Sequence, residues 1–299
     1  MKPGLGERCK LAKSETCVAL VTNRSHFHRC LLTIWQLRWF GKYRGDVVVV
    51  VGDDLRYAIP AIKKLAIGIS PVYFPDINRE EVLARLEKTK HSSDVVFNKP
   101  FQFHKIYCFS TFFKSWNKVL YMDTKMRVFH PIQPILDLDC SHSVIAHSDA
   151  FPEYSRTIGS QFNLSDFPEM GAKIATLVPL TADYFQTGML LYDTAVIDEG
   201  TVDELINLSQ EFFNANSNEQ AIMNLWAQRH NLWRKLPTEP VKSRLLYDYW
   251  EREPHTPDDY ILLKYPKAKK SGLSRRSVNF IFKIYWRSVQ RKISEGEAT

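Results

Sequence analysis

The stretch Asp46-Val-Val-Val-Val-Val51 decides the class of fold. Five consecutive β-branched residues favour a strand, and the absence of polar alternation means that both of its faces are buried. Such a strand belongs in a sheet covered by helices on both sides, so the chain reads as α/β. Upstream, Cys17-Val-Ala-Leu-Val-Thr22 is a second buried strand. Between the two, residues 25–40 place Phe27, Leu31, Ile34 and Leu37 at helical spacing. Downstream come a helix near 55–66, a short strand at 71–74, and helices at 80–89 and 101–113. Lys118-Val-Leu-Tyr-Met122 then forms a strand that runs into Asp123. Strands at 143–146 and 184–192 and helices at about 197–213 and 218–228 complete the body. Residues 151–182 show no clear period and read as a long loop beside the site.

Charge divides the 299-residue chain unevenly. Lys and Arg number 40 against 33 Asp and Glu, a formal +7, yet the run 264–292 holds ten basic residues and no acidic one. Without that run the balance is 30 against 33, or −3. The basicity belongs to the carboxyl-terminal segment, which argues against nucleic acid as the partner of the body. The expected division is an extension at 1–16, one domain at 17–271, and a basic amphipathic helix and tail at 272–299. In the helix, Val278, Ile281, Phe282, Tyr285 and Val289 share one face, opposite Asn279, Lys283, Arg287, Gln290 and Arg291. That pattern suits either an anionic membrane surface or docking on the domain.

The five cysteines form no CxxC pair, so a zinc site or a disulfide framework has little support. The polar start of the chain carries no secretory h-region, and no apolar run reaches the roughly 18–20 residues that span a bilayer. A cytoplasmic, peripheral-membrane location is expected. No GxGxxG follows the opening strand and no GxxxxGK[ST] occurs, which disfavours a dinucleotide dehydrogenase or a P-loop enzyme. A nucleotide could still bind at the carboxyl ends of the strands.

Asp123, rigidly held at a strand end, is the first candidate for chemistry. Its surroundings, Lys118 to Leu136 (KVLYMDTKMRVFHPIQPIL), resemble the Asp-x-Asp segment of the glycogenin-like glycosyltransferases of family 8. Further blocks follow in that family's order across residues 17–270. Leu20-Val-Thr-Asn23 with His26 resembles the first-strand turn, and Phe103 to Cys108 the helix whose basic residue, here Lys105, reaches sugar or phosphate. Tyr184 to Tyr192 (YFQTGMLLY) is similar to the F-N-[SA]-G-V-L-L strand, and Asn218 to Asn224 (NEQAIMN) to the D-Q-x-x-L-N helix start. The resemblance implies a GT-A type, Rossmann-like mixed sheet flanked by helices, and retaining transfer of a sugar from a UDP-sugar to a glycan or glycolipid acceptor. It places Thr22, Asn23, His26, Thr124, Gln186, Thr187 and Gly188 around the nucleotide sugar. Gln220 and Glu219 would face the sugar, and Asp149 the acceptor.

The departures carry their own expectation. The Asp-x-Asp has become Asp123-Thr124-Lys125, and the late metal-binding His of the family corresponds to Lys264. Mn2+ or Mg2+, which the resemblance implies beside Asp123, would thus lose two of three ligands to lysine. An ammonium can supply part of an ion's charge, so a metal-independent transferase using Lys125 and Lys264 is expected. A catalytically inactive protein that binds nucleotide sugar or a partner is the alternative. Bland readings stand beside each role. Glu219 and Gln220 could cap a helix after Ser217 and Asn218, His26 could be a solvated first-turn residue, and Tyr184 and Phe185 could be core. Gly188 would give close backbone approach to sugar or strand.

Overall fold

The computed structural model describes residues 14–65, 68–78, 80, 82, 100–149, 156–265 and, near the carboxyl end, 283, 284, 286, 287, 290 and 291. Its centre is the expected pair of buried strands, β1 (Thr16–Thr22) and β2 (Asp46–Val51), paired in parallel so that Ala19 lies opposite Val48. Every valine of β2 is buried. Alternate side chains enter opposite layers, as the two-residue period of a strand requires. Ala19, Val21, Val48 and Val50 join one core, while Val18, Leu20, Val47 and Val49 join the other.

Around this pair stand β3 (Ile69–Tyr73), β4 (Lys118–Met122), β6 (Val144–Ala146), β7 (Met189–Asp193) and β8 (Trp233–Lys235). The seven strands follow the order β3-β2-β1-β4-β7-β6-β8, with β7 antiparallel to both of its neighbours. Helices α1 (Phe27–Trp39) and α2 (Ile59–Leu65) belong to the first half. The second half holds α3 (Gln133–Leu136), α4 (Pro168–Leu177), α5 (Thr201–Glu211) and α6 (Glu219–Arg229). A smaller sheet of β5 (Arg127–Val128), β10 (Tyr260–Leu263) and β9 (Leu245–Asp248) packs beside the large one.

Several expectations need correction. Residues 156–182 are not a structureless loop. They hold a 3-10 turn at Ile158–Gln161 and α4, which begins at Pro168, where the missing N–H costs nothing. The aromatic helix expected at 101–113 is two 3-10 segments, Pro100–Phe109 and Thr111–Ser115. Of the strand expected at 184–192, β7 itself begins at Met189. Ahead of it Phe185 makes an isolated antiparallel bridge to Ser148, its own N–H and carbonyl being taken by the Asn224 side chain of α6. Of the helix expected at 80–89 only Glu80 and Val82 are described, and both are helical. The apolar face expected at 278, 281, 282, 285 and 289 lies outside the described residues.

Candidate active site

Three parallel strands end at one edge of the large sheet and pass directly into a cavity of about 610 Å3. β1 leads into Asn23, β2 into Gly52 and β4 into Asp123. The chain runs outward from β1 to β3 and then returns to the other side of β1 for β4, so the order reverses at this edge. Open α/β sheets bind ligands at that topological position.

Asp123 is the electrostatic centre. Its backbone N–H donates to the Gly188 carbonyl at 2.9 Å, locking the strand end. The Tyr121 hydroxyl donates to Oδ1 at 2.7 Å, and Lys105 Nζ stands 3.4 Å from the same oxygen. Lys264 Nζ lies 2.6 Å from Oδ2. Burial alone would raise the pKa of this carboxyl, but the two ammonium groups hold it well below the usual carboxylate range. For Lys264, burial opposes the charge, yet Asp123 keeps its pKa above the ordinary lysine value. Lys264 reaches this point because β10 pairs antiparallel with β5, setting Leu263 against Arg127 just beyond the Asp123 turn. The Tyr249 and Tyr265 rings flank its ammonium at 4.6 and 5.7 Å from their centroids.

Lys105 is buried and heavily engaged. It donates to Glu219 Oε1 at 2.6 Å, to the Thr187 carbonyl at 3.0 Å and to Thr187 Oγ1 at 3.1 Å. Glu219 opens α6, where a carboxylate also meets the positive end of the helix. Gln220 Oε1 accepts from Thr187 N at 3.2 Å. The capping reading of this turn is not realised: Asn218, at φ 53°, makes no side-chain cap bond, and the Ser217 hydroxyl donates to Gln161. Asn224, fully buried, instead ties the helix to the strand. Its Oδ1 accepts from Phe185 N, and its Nδ2 donates to the Phe185 and Gln220 carbonyls, each near 2.9 Å. Asn224→Ala would leave the buried Phe185 N–H and carbonyl without these partners. We expect a loss of about 2–4 kcal/mol, read by urea denaturation.

The cavity also gathers Asn23, His26, Thr124, Lys125 and Thr187. Asn23 Oδ1 accepts from His26 N at 3.1 Å, and the His26 ring stacks on Phe101 at 5.3 Å. Thr33 of α1 donates to the Thr124 carbonyl, fixing the turn that carries Lys125. Four expected residues stand behind the wall rather than on it. Thr22 is buried beneath the rim. Asp149, 3% exposed, accepts from Gln186 Nε2 at 2.9 Å and stands 3.4 Å from Arg156. Gly188 gives close approach: a β-carbon there would stand 2.7 Å from the Tyr247 hydroxyl and 3.3 Å from Lys264 Nζ. Tyr184 and Phe185 are core, as their bland reading has it.

Sequence reasoning missed a second wall of Gly52, Asp54, Asp76, Phe101 and His104, and the tyrosines 249 and 265. Asp76 Oδ1 accepts from Asp53 N at 3.1 Å and stands 3.1 Å from His104 Nε2. Burial pushes the His104 imidazole below its ordinary pKa despite Asp76. Any side chain at Gly52 would collide with both residues. The one usable signal was that Gly52 follows an unambiguous buried strand.

The divalent ion implied by the resemblance does not suit these residues. Both oxygens of Asp123 face ammonium groups, and cations at Lys105 and Lys264 repel a further cation. Among the described residues no group of three or more His, Cys, Asp or Glu could hold a metal.

The mixed α/β sheet flanked by helices, its carboxyl edge opening into a polar cavity, is of the GT-A type seen in glycosyltransferase structures. The chain belongs to glycosyl transferase family 8, which it matches over residues 46–238, and is thus a glycosyltransferase. No curated protein matches it by sequence. Among solved structures it is similar to the galactosyltransferase LgtC in complex with donor and acceptor sugar analogs. There the identity is 12% and the TM-score 0.56, over 91% of this chain and 95% of that one. It is also similar to the glycosyltransferase GlyE of Streptococcus pneumoniae TIGR4, at 13% identity and TM-score 0.51, over 95% of this chain. The chain spans 64% of the length of GlyE. At these identities the likeness is one of fold.

Proposed function

We propose that the chain transfers a sugar from a UDP-sugar to a glycan or glycolipid acceptor, with retention and without a divalent ion. The observation that carries this reading is the Lys264 ammonium, 2.6 Å from Asp123 at the mouth of the sheet. As the sugar leaves, negative charge grows on the diphosphate, and preorganised cations there lower the barrier because they need no reorganisation. Lys264, held charged by Asp123 and framed by two tyrosines, is one such cation, and Lys125 on the same wall is another. Asp123 sets the position of Lys264. Glu219, Gln220 and Thr187 form a hydrogen-bonded rim that suits sugar hydroxyls. His26 and Phe101 offer a stacked edge for the base. Behind that rim, Asp149 is reached through Gln186 and Arg156, and we assign it to the acceptor side.

The test is sugar release and transfer from UDP-sugars with EDTA or with Mn2+. Equal rates in the two are expected. A rate that collapses in EDTA and returns with Mn2+ would falsify the lysine assignment. Thermal shift with UDP against other nucleoside diphosphates checks the base independently, since a ligand of the native state raises the melting temperature.

A further inference from the structure

From Thr16 to Gly45 the chain carries Arg24, Arg29, Arg38, Lys42 and Arg44 and no carboxylate. The other acid-free run, 264–292, meets this one in space. Trp286, 3% exposed, packs its ring 4.3 Å from Phe27 at the start of α1 and donates its indole N–H to the Arg24 carbonyl at 3.0 Å. Trp286 is therefore docked on the body, and its indole is not available to a membrane. Lys283, Arg287 and Arg291 recur every four residues, so in a helix they share one face, and all three are exposed. Lys283 stands close enough to His28 to contribute, after burial and Arg29, to lowering its pKa.

His28, Trp35 and Trp39 recur at i, i+7 and i+11 and make one stripe along α1. Beside its first half Leu31 and Leu32 are buried. Beyond them Trp35, Trp39 and Phe40 emerge, 40, 63 and 40% exposed. Trp35 stacks on Trp39 at 6.5 Å and meets Phe40 edge-on at 5.5 Å, and the Lys42 ammonium stands 5.9 Å from the Trp39 ring. Three adjoining exposed aromatics with a cation on one of their rings make an apolar patch of the kind that marks a docking surface.

We infer that this surface docks on an anionic lipid bilayer, with Trp35, Trp39 and Phe40 entering the headgroup level and Lys42, Arg44, Lys283, Arg287 and Arg291 meeting the lipid phosphates. Indole rings with one polar edge suit that depth, and each cation near an anionic surface adds attraction. The charge decides against a second copy of the chain, since a two-fold contact would set these cations against themselves. His26, next to α1, lines the cavity, and a 13-residue helix spans about 20 Å, so the patch lies within one helix length of the site. The inference stands apart from the donor and metal assignments.

Co-sedimentation of the full chain with phosphatidylcholine vesicles, with and without phosphatidylglycerol, tests it. The wild-type chain should bind the anionic vesicles, weaken as salt rises, and show a blue-shifted tryptophan emission. Trp35→Ser/Trp39→Ser should lose binding by about tenfold or more, and Lys42→Glu/Arg44→Glu by at least about fivefold. All four positions are solvent-facing, so unchanged circular dichroism and melting temperature confirm that the variants fold. Equal binding by the tryptophan variant, or equal binding to neutral vesicles, overturns the inference. So does a dimer in light scattering that Trp39→Ser dissolves, or retention by single-stranded RNA without retention by vesicles.

Discussion

Lys264→Met should lower kcat by about 10²–10³-fold, the loss typical when one preorganised group facing developing charge is removed. KM for the nucleotide sugar should change less, because the ammonium acts most strongly once the diphosphate begins to leave. Lys264→Arg should recover part of the rate. It keeps the charge, but its planar fork cannot reproduce a point contact of 2.6 Å between the rings of Tyr249 and Tyr265. Neither member of the ion pair should appear in the pH profile. Asp123 is depressed, so its contribution is present above the ordinary carboxylate range and is lost only in strong acid. Lys264 is raised, so its contribution is present below the ordinary lysine range and fades only in strong alkali. The companion variant reverses the chemistry. Lys125→Asp with Lys264→His would set two carboxylates and an imidazole around one point, a donor set that divalent ions accept. Its turnover should require Mn2+ and stop with EDTA, while the wild-type chain is indifferent to both. A Lys264→Met enzyme with wild-type kcat would remove the ammonium from the mechanism.

Much of this geometry was written locally in the chain. The valines of β2 and the apolar run of β4 declare themselves because burial on both faces suppresses every competing period. What was illegible depended on partners distant in sequence. Phe101 and His104, three residues apart, share the cavity wall because their segment is 3-10 and brings i and i+3 onto one face, and an aromatic-rich run does not distinguish that from an α-helix. Asp76 belongs to no motif; it becomes a wall residue only because β3 pairs with β2 and delivers it beside Gly52. Lys264 was foreseen by resemblance to a family motif, but its contact with Asp123 arises from the small sheet. That sheet is hard to read locally, since β5 is two residues long and β9 and β10 are four each. Trp286 shows the same limit. Amphipathic spacing marks a helix with two faces but does not say which aromatic residue on it finds Phe27.

The second large effect belongs to Lys105, and it separates a strut from a ligand-binding cation. Its Nζ satisfies Glu219 and both oxygens of Thr187 inside the protein. Lys105→Met therefore strands the Glu219 carboxylate in a buried site, and breaking such a pair costs about 3–5 kcal/mol. Urea denaturation should show that loss without nucleotide present. Glu219→Leu alone should also destabilise, because it leaves the Lys105 ammonium buried with only Thr187 and the more distant Asp123. The double variant Lys105→Met/Glu219→Leu should recover a large part of the stability, since it removes both charges together and fills the space with apolar groups of similar size. Activity should not follow. Glu219 leads α6 into Gln220, and Thr187 bonds to both, so a chain that regains its stability in the double variant still lacks the rim that holds the sugar. Recovery of stability and turnover together would make the pair a scaffold alone. Loss of turnover in Lys105→Met with unchanged stability would instead return Lys105 to direct contact with phosphate, as the resemblance to the family first implied.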